Sequence, residues 1–156
     1  MIRKLEYKDR AIIEEILKAT KVFNNEEILV ALELIDIYLN DKDQKDYNFF
    51  CYTNETDDTI GYVCYGKTPM TEATFDLYWI AVNPLYHNMG IGKNLLVYTE
   101  NIIKSLGGKL IIVETSSRDD YYNTRMFYIK SNYQELSRIK NYYKMNDDLI
   151  IYGKYF

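Results

Sequence analysis

The stretch YWIAVNPLYHNMGIGKNLL, residues 78–96, decides how the rest of the chain is read. Its first five residues, Tyr78 to Val82, are aromatic, β-branched or small and apolar, the composition of a strand. Asn83-Pro84 ends it: the residue before a proline avoids helical backbone, and proline lacks the N–H that a central strand donates. From Ile91 onward apolar residues recur at helical spacing, at Leu95, Tyr98, Ile102 and Leu106, and Gly107-Gly108 closes that helix. Gly90 and Gly92 therefore sit where a helix begins. The first amides of a helix have no partner within it, and the macrodipole places partial positive charge there, so this is an anion site. Glycines keep side chains away from those amides, and Lys93 adds a formal charge. Taken alone, Gly-x-Gly equally suits a plain helix-initiating turn.

Working outward, residues 2–5 open the chain as a short strand. Asp9 is placed as the N-cap of a helix with Ile12, Ile13, Ile16 and Leu17 on one face. Asn25 caps a second helix, whose stripe runs Ile28, Leu29, Leu32, Ile35 and Leu39, with Glu26 and Glu27 at its positive end. Strands are expected at 47–53, 60–65 and 74–82, the first two joined by a turn at 54–58. Residues 110–114 form a near-continuous apolar run, as in a buried strand. Asp119 or Asp120 then caps a helix carrying Met126, Phe127 and Ile129, and strands at 133–142 and 149–156 flank a turn at Asn146-Asp147-Asp148. The order β-α-α-β-β-β-α-β-α-β-β predicts an α/β fold of the α+β type, a single domain over residues 1–156. Its mixed central sheet has about seven strands flanked by about four helices.

Composition narrows the function classes. Nineteen Lys and Arg against 23 Asp and Glu give a net charge of −4, a poor balance for a general binder of nucleic acid or anionic membrane. Apolar residues at 47% and charged residues at 27% describe a globular chain. If the 47–53 and 60–65 strands form a hairpin turning near Asp57-Asp58, Cys51 and Cys64 sit opposite each other. A cross-strand disulfide is then conceivable, with two buried thiols in a reducing compartment the preferred expectation. Their spacing suits no metal. No signal-peptide pattern and no apolar run of about 18 residues is present, so a soluble, cytoplasmic protein is expected. Seventeen tyrosines stand out against six phenylalanines and one tryptophan.

Two segments together resemble the GNAT superfamily of N-acetyltransferases. Its signature is a strand ending in Val-x-Pro, then Arg/Gln-x-x-Gly-x-Gly/Ala, then a helix. This chain has Val82-Asn83-Pro84, then His87-Asn88-Met89-Gly90-Ile91-Gly92, then Lys93-Asn94-Leu95-Leu96, with His87 where Arg or Gln is usual. Downstream, Tyr121 and the run Thr124 to Tyr133 match the family's Asn-x-x-Ala-x-x-Phe/Leu-Tyr-Glu-Lys-x-Gly-Phe segment. There Tyr121 replaces Asn, Thr124 replaces Ala, Asn132 replaces Gly and Tyr133 replaces Phe. Asn132 is a mild change, because Asn tolerates left-handed backbone.

The resemblance covers essentially the whole chain and implies an acetyl-CoA site without a metal. Ile80, Ala81 and Val82 would meet the pantetheine arm through backbone groups, in a cleft opened where their strand splays from the one after Leu110. His87, Asn88, Met89, Gly90, Ile91, Gly92 and Lys93 would hold the pyrophosphate. Tyr128 matches the family's general-acid tyrosine, suited to protonating a leaving thiolate. The base that takes the amine proton is Glu114 or Asp76, with Glu114 preferred. The implied reaction is direct attack of a primary amine of a small molecule or peptide on acetyl-CoA in a ternary complex; a homodimer fits the same analogy. The alternative is a non-catalytic acyl-CoA-binding sensor. Arg118 and Arg125 are candidates for an acidic ligand group or a surface ion pair. Tyr142, Tyr143 and Tyr152 are candidates for acceptor lining or ordinary sheet packing.

Overall fold

The structure, a computed structural model, describes residues Met1–Phe156. Its elements run β1 (Ile2–Lys4), α1 (Asp9–Thr20), α2 (Asn25–Asn40), β2 (Asn48–Thr53), β3 (Thr59–Lys67), β4 (Thr74–Val82), α3 (Ile91–Ser105), β5 (Leu110–Ser116), α4 (Tyr122–Lys130), β6 (Gln134–Lys144) and β7 (Asp147–Tyr155). Short 3₁₀ turns at Pro84–Tyr86 and Asp119–Tyr121 precede α3 and α4. The seven strands form one mixed sheet in the order β1-β2-β3-β4-β5-β7-β6, with β4 and β5 parallel. The expected class, strand number and element order are those observed.

By its internal contacts the chain divides into two compact units. One comprises residues 1–66 and 78–102, the other residues 67–77 and 103–156.

In the first unit, β2 and β3 place Phe49, Cys51, Tyr62 and Cys64 on the face that α1 and α2 cover with Ile13, Ile16, Leu17, Ala31, Leu32 and Ile35. The opposite face carries Phe50 and Tyr65. It meets α3, whose Tyr98 ring packs edge-on against Phe50 at 4.9 Å. Cys51 pairs with Tyr62, and Cys64 with Phe49, so the cysteines are diagonal rather than opposite, and both are free and buried. Burial pushes the Cys51 thiol up to about 12, with the Asp9 carboxylate adding to the effect.

Three helix details differ from the periodicity. Asp9 is not at the N-cap of α1: Lys8 occupies that position without a side-chain cap bond, and Asp9 is the first helical residue. Its fully buried carboxylate accepts Arg3 Nη1 and Nη2 at 2.7 and 2.9 Å, Thr59 Oγ1 at 2.7 Å and the Glu6 amide at 2.7 Å. Asn24, not Asn25, caps α2, in a reciprocal capping box with Glu27. The buried side of α3 is Ile91, Leu95, Leu96, Thr99, Glu100 and Ile103, whereas Tyr98 and Leu106 are exposed.

In the second unit, β5 pairs with β7 along its whole length, Val113 opposite Tyr152 and Glu114 opposite Ile151. Ile111, Val113, Tyr128, Tyr133 and Tyr152 are buried there. Neither Asp119 nor Asp120 caps α4: both lie in the 3₁₀ turn, and the residue at the α4 N-cap is Tyr121.

Burial alone would raise the Asp9 carboxyl, but its hydrogen bonds with Arg3, Thr59 and the Glu6 amide outweigh that and hold it below the usual range. A carboxyl lowered in the folded state contributes stability above its unfolded value of about 3.9, and loses it as pH falls through the folded value. Asp9→Ala, which leaves Arg3 without its buried partner, is expected to cost about 3 kcal/mol in urea unfolding at pH 7. The difference from the parent should shrink as the unfolding series is taken down through the lowered folded-state value of Asp9.

Candidate active site

The strand end and turn that the sequence singles out lie in the first unit. Asn83 N donates to Ile60 O on β3 at 2.8 Å. By strand alternation, the backbone groups of Ile80 and Val82 point away from β3, as expected for a strand edge able to receive an extended ligand. One of them is already engaged. The Val82 carbonyl accepts a hydrogen bond from His87 Nε2 at 2.8 Å, so the ring turns back onto the strand. Ala81, between them, is buried, and its carbonyl lies toward Gly61 of β3.

The turn itself is built from local bonds. Asn83 accepts the Leu85 amide on its side chain at 3.0 Å, Tyr86 N donates to Asn83 O at 2.8 Å, and His87 N to Pro84 O at 3.2 Å. Asn88 (φ 62°) and Gly90 (φ 77°) are both left-handed. Asn94 N donates to Gly90 O at 2.9 Å, the first bond of α3. The amides of Ile91, Gly92 and Lys93 therefore precede the helical ladder and have no partner in it. A Cβ added at Gly90 would meet nothing within 4 Å, so its positive φ, not crowding, calls for glycine, and the space before the helix is open. His87, Asn88, Met89, Gly90 and Lys93 are exposed, while Ile91 is buried as the helix's anchor.

Gly61 escaped the sequence reading. A Cβ there would stand 3.2 Å from Ala81 O, 3.3 Å from Val82 Cγ2 and 3.4 Å from Ile91 Cγ2. Its missing side chain lets the end of β4 and the start of α3 sit close against β3. The only signal was a glycine inside a strand pattern, which marks close backbone approach.

The two proton-transfer candidates lie in the second unit. Tyr128 of α4 is buried and stacks on Tyr152 at 6.5 Å, with Tyr133 at 5.5 Å. Burial, with a smaller push from Tyr121, raises its hydroxyl well above the usual tyrosine range and keeps it a phenol. Glu114 is an exposed residue on β5. Partial loss of water, then repulsion from the Asp76 carboxylate, holds its carboxyl above the ordinary glutamate value. Asp76 accepts Thr68 Oγ1 at 2.7 Å. Since Tyr152 pairs with Val113, the neighbour of Glu114, strand alternation puts Tyr128 and Glu114 on opposite faces of the sheet. The structure does not bring them together.

Arg125 is committed to structure. Its Nη1 donates to Ser116 O at 2.7 Å and Arg118 O at 2.8 Å, tying α4 to the end of β5. Arg118 pairs with Asp120 at 3.1 Å and lies over the Tyr121 ring. Tyr152 is buried in the sheet, whereas Tyr142 and Tyr143 are exposed, edge-to-face at 5.0 Å. They occupy a bulged stretch of β6 between Ile139 and Lys144, where Asn141 is left-handed. No group of His, Cys, Asp and Glu side chains is arranged to hold a metal ion.

The model of the acetyltransferase (GNAT) family matches residues 11–129. The chain belongs to the GNAT family. A Desulfovibrio desulfuricans protein assigned to the GNAT acetyltransferases is 36% identical, with 99% of this chain and 98% of that one aligned at a TM-score of 0.92. Lower identity still accompanies the same fold. An aminoglycoside 6'-N-acetyltransferase complexed with coenzyme A is 16% identical, at a TM-score of 0.75 over 99% of this chain and 96% of its own. The PaiA N-acetyltransferase of Thermoplasma acidophilum, in complex with coenzyme A, is 19% identical at a TM-score of 0.74, over 100% of this chain and 98% of its own. No curated protein sequence matches significantly. No helix of this GNAT protein is long and apolar enough to cross a membrane.

The left-handed backbone at Gly90 has a measurable cost if a side chain is added. Gly90→Ala is expected to lower stability by about 1 kcal/mol in urea unfolding, because the strain of positive φ is imposed without any clash.

Proposed function

We propose that this GNAT protein transfers an acetyl group from acetyl-CoA to a primary amine of a small molecule or peptide. The observation that carries the proposal is the open helix start after β4: unpaired amides of Ile91, Gly92 and Lys93, reached across exposed residues and a glycine with empty space beside it. That donor set fits a pyrophosphate, and the backbone groups of Ile80 and Val82 that point away from β3 fit an extended amide-bearing arm. The coenzyme A complexes of structural neighbours support the same choice of cosubstrate. In this proposal Ile80, Ala81 and Val82 receive the arm. Residues His87, Asn88, Met89, Gly90, Ile91, Gly92 and Lys93 form the phosphate-binding turn.

Acetyl-CoA, when bound, supplies an acyl group activated as a thioester. The chain's own residues supply the proton handling. Tyr128, kept in its phenol form by burial, holds a proton at its hydroxyl oxygen and releases it to the departing sulfur. Glu114, on the other face, accepts the proton of the attacking amine through water. The coenzyme's phosphate charge is met by oriented amides and Lys93 rather than by net protein charge, which is −4.

Thiol release from acetyl-CoA across a panel of amines, amino acids and peptides tests the activity; tight coenzyme A binding without turnover on any acceptor would instead favour a non-catalytic acyl-CoA sensor. On a confirmed acceptor, Tyr128→Phe is expected to lower kcat about 100-fold with coenzyme A affinity unchanged. Glu114 must lose its proton to act as base. Its raised carboxyl therefore shifts the acid limb of the kcat/KM profile above the ordinary glutamate value, and Glu114→Gln should abolish that limb.

A further inference from the structure

His87 is the only histidine in the chain, and its side chain is turned back onto the strand it follows rather than out along the turn. The Val82 carbonyl can only accept, so Nε2 carries the hydrogen of this 2.8 Å bond. The neutral Nε2–H tautomer and the imidazolium both meet that requirement. The contact matters because of what surrounds it. Between Val82 and Ile91 the chain passes through two left-handed residues, Asn88 and Gly90, and the residues from His87 to Gly90 are exposed. Asn83 N is tied to Ile60 O on β3 at 2.8 Å, but beyond Asn83 the other hydrogen bonds of the turn reach only two or three residues along the chain, from Leu85, Tyr86 and His87 back to Asn83 and Pro84. A segment with so little burial opens at small free-energy cost. The His87 ring is the bond that returns it to β4.

We propose that His87 is a positioning residue, whose Nε2–H, donated to Val82 O, latches the turn after β4 and so aims the open amides of Ile91, Gly92 and Lys93 at an anionic ligand. The ligand's identity as acetyl-CoA rests on the proposed function, but the latch itself is a property of the unliganded chain. It also changes what the end of β4 offers. The Val82 carbonyl is occupied, so an incoming arm has the Val82 N–H and the backbone groups of Ile80 to pair with.

Glutamine tests this cleanly, because its side-chain amide nitrogen stands the same number of bonds from Cα as the histidine Nε2 and also donates. The experiment compares the parent, His87→Ala and His87→Gln by amide hydrogen exchange over residues 84–93 without ligand, by calorimetric titration with coenzyme A, and by KM for acetyl-CoA against kcat. The latch predicts exchange about fivefold faster in His87→Ala, the effect of one hydrogen bond, with a matching weakening of coenzyme A binding. KM should rise with kcat nearly unchanged, and His87→Gln should restore both exchange and affinity. Unaltered exchange in His87→Ala overturns the proposal. So does equal loss of affinity in both variants, which would mean that the imidazole touches the ligand itself. If the parent fails to bind coenzyme A while the exchange pattern is as predicted, the latch stands and the acetyl-CoA assignment falls.

Discussion

Asp9 gathers Arg3, Thr59 and the Glu6 amide around a carboxylate from which water is fully excluded, and β1, α1 and β3 meet on it. A buried charge is tolerable only when every lone pair is engaged, so the starts of α1 and β3 are held at one mutual distance. Arg3 extends the network to Asp57 in the β2–β3 turn, and Lys8 pairs with the same carboxylate. The hairpin is thereby tied to the first strand at its turn. Two residues along β3 from Thr59 comes Gly61, where the strand admits the Ala81 carbonyl and the Ile91 side chain at close range. The turn that starts α3 thus inherits its position from a carboxylate distant in sequence.

The second unit handles its charges differently. Asp148 is held below the usual carboxylate range first by the Asn141 amide and then by Arg138. Its backbone exchanges hydrogen bonds with Ser117, and Ser116 Oγ donates to Asp147. Arg125 adds two bonds to the same β5 end. These contacts make the loop after β5 a rigid support for α4, so that Tyr128 is seated among Phe127, Tyr133 and Tyr152 rather than swinging on a free helix. The abundance of tyrosine is mostly such packing. Tyr62, wholly buried with an unpartnered hydroxyl, shows that tyrosine serves here as a large apolar filler even at some polar cost.

Much of the architecture was legible because it depends on local pattern. The nine residues Thr74–Val82 were bounded by Pro84, whose effect is steric and needs no tertiary partner. The glycines before α3 announced a helix start for the same reason. What misled was burial. Periodicity put Tyr98 and Leu106 in the core of α3, but the strands it covers select the side bearing Leu96, Thr99 and Ile103. Asp9 has the chemistry of a cap, and an arginine six residues upstream drew it into a buried cluster instead. Arg125 was open to a ligand contact or an ion pair and His87 to a phosphate contact, yet each found a backbone carbonyl within reach of its own segment.

The sequence alone determined the order of the elements and the turn that starts α3, which follow from residue types at short spacing, while Tyr128 came from the family resemblance and Glu114 was one of two candidate carboxylates. Only the tertiary structure decided that Tyr128 and Glu114 face opposite sides, that the cysteines are diagonal, that Gly61 supports the cradle, and that His87 reaches back to Val82. Each of those facts depends on which strand lies beside which and in what register. Register is set by the joint burial of side chains remote in the chain, and no local spacing encodes it.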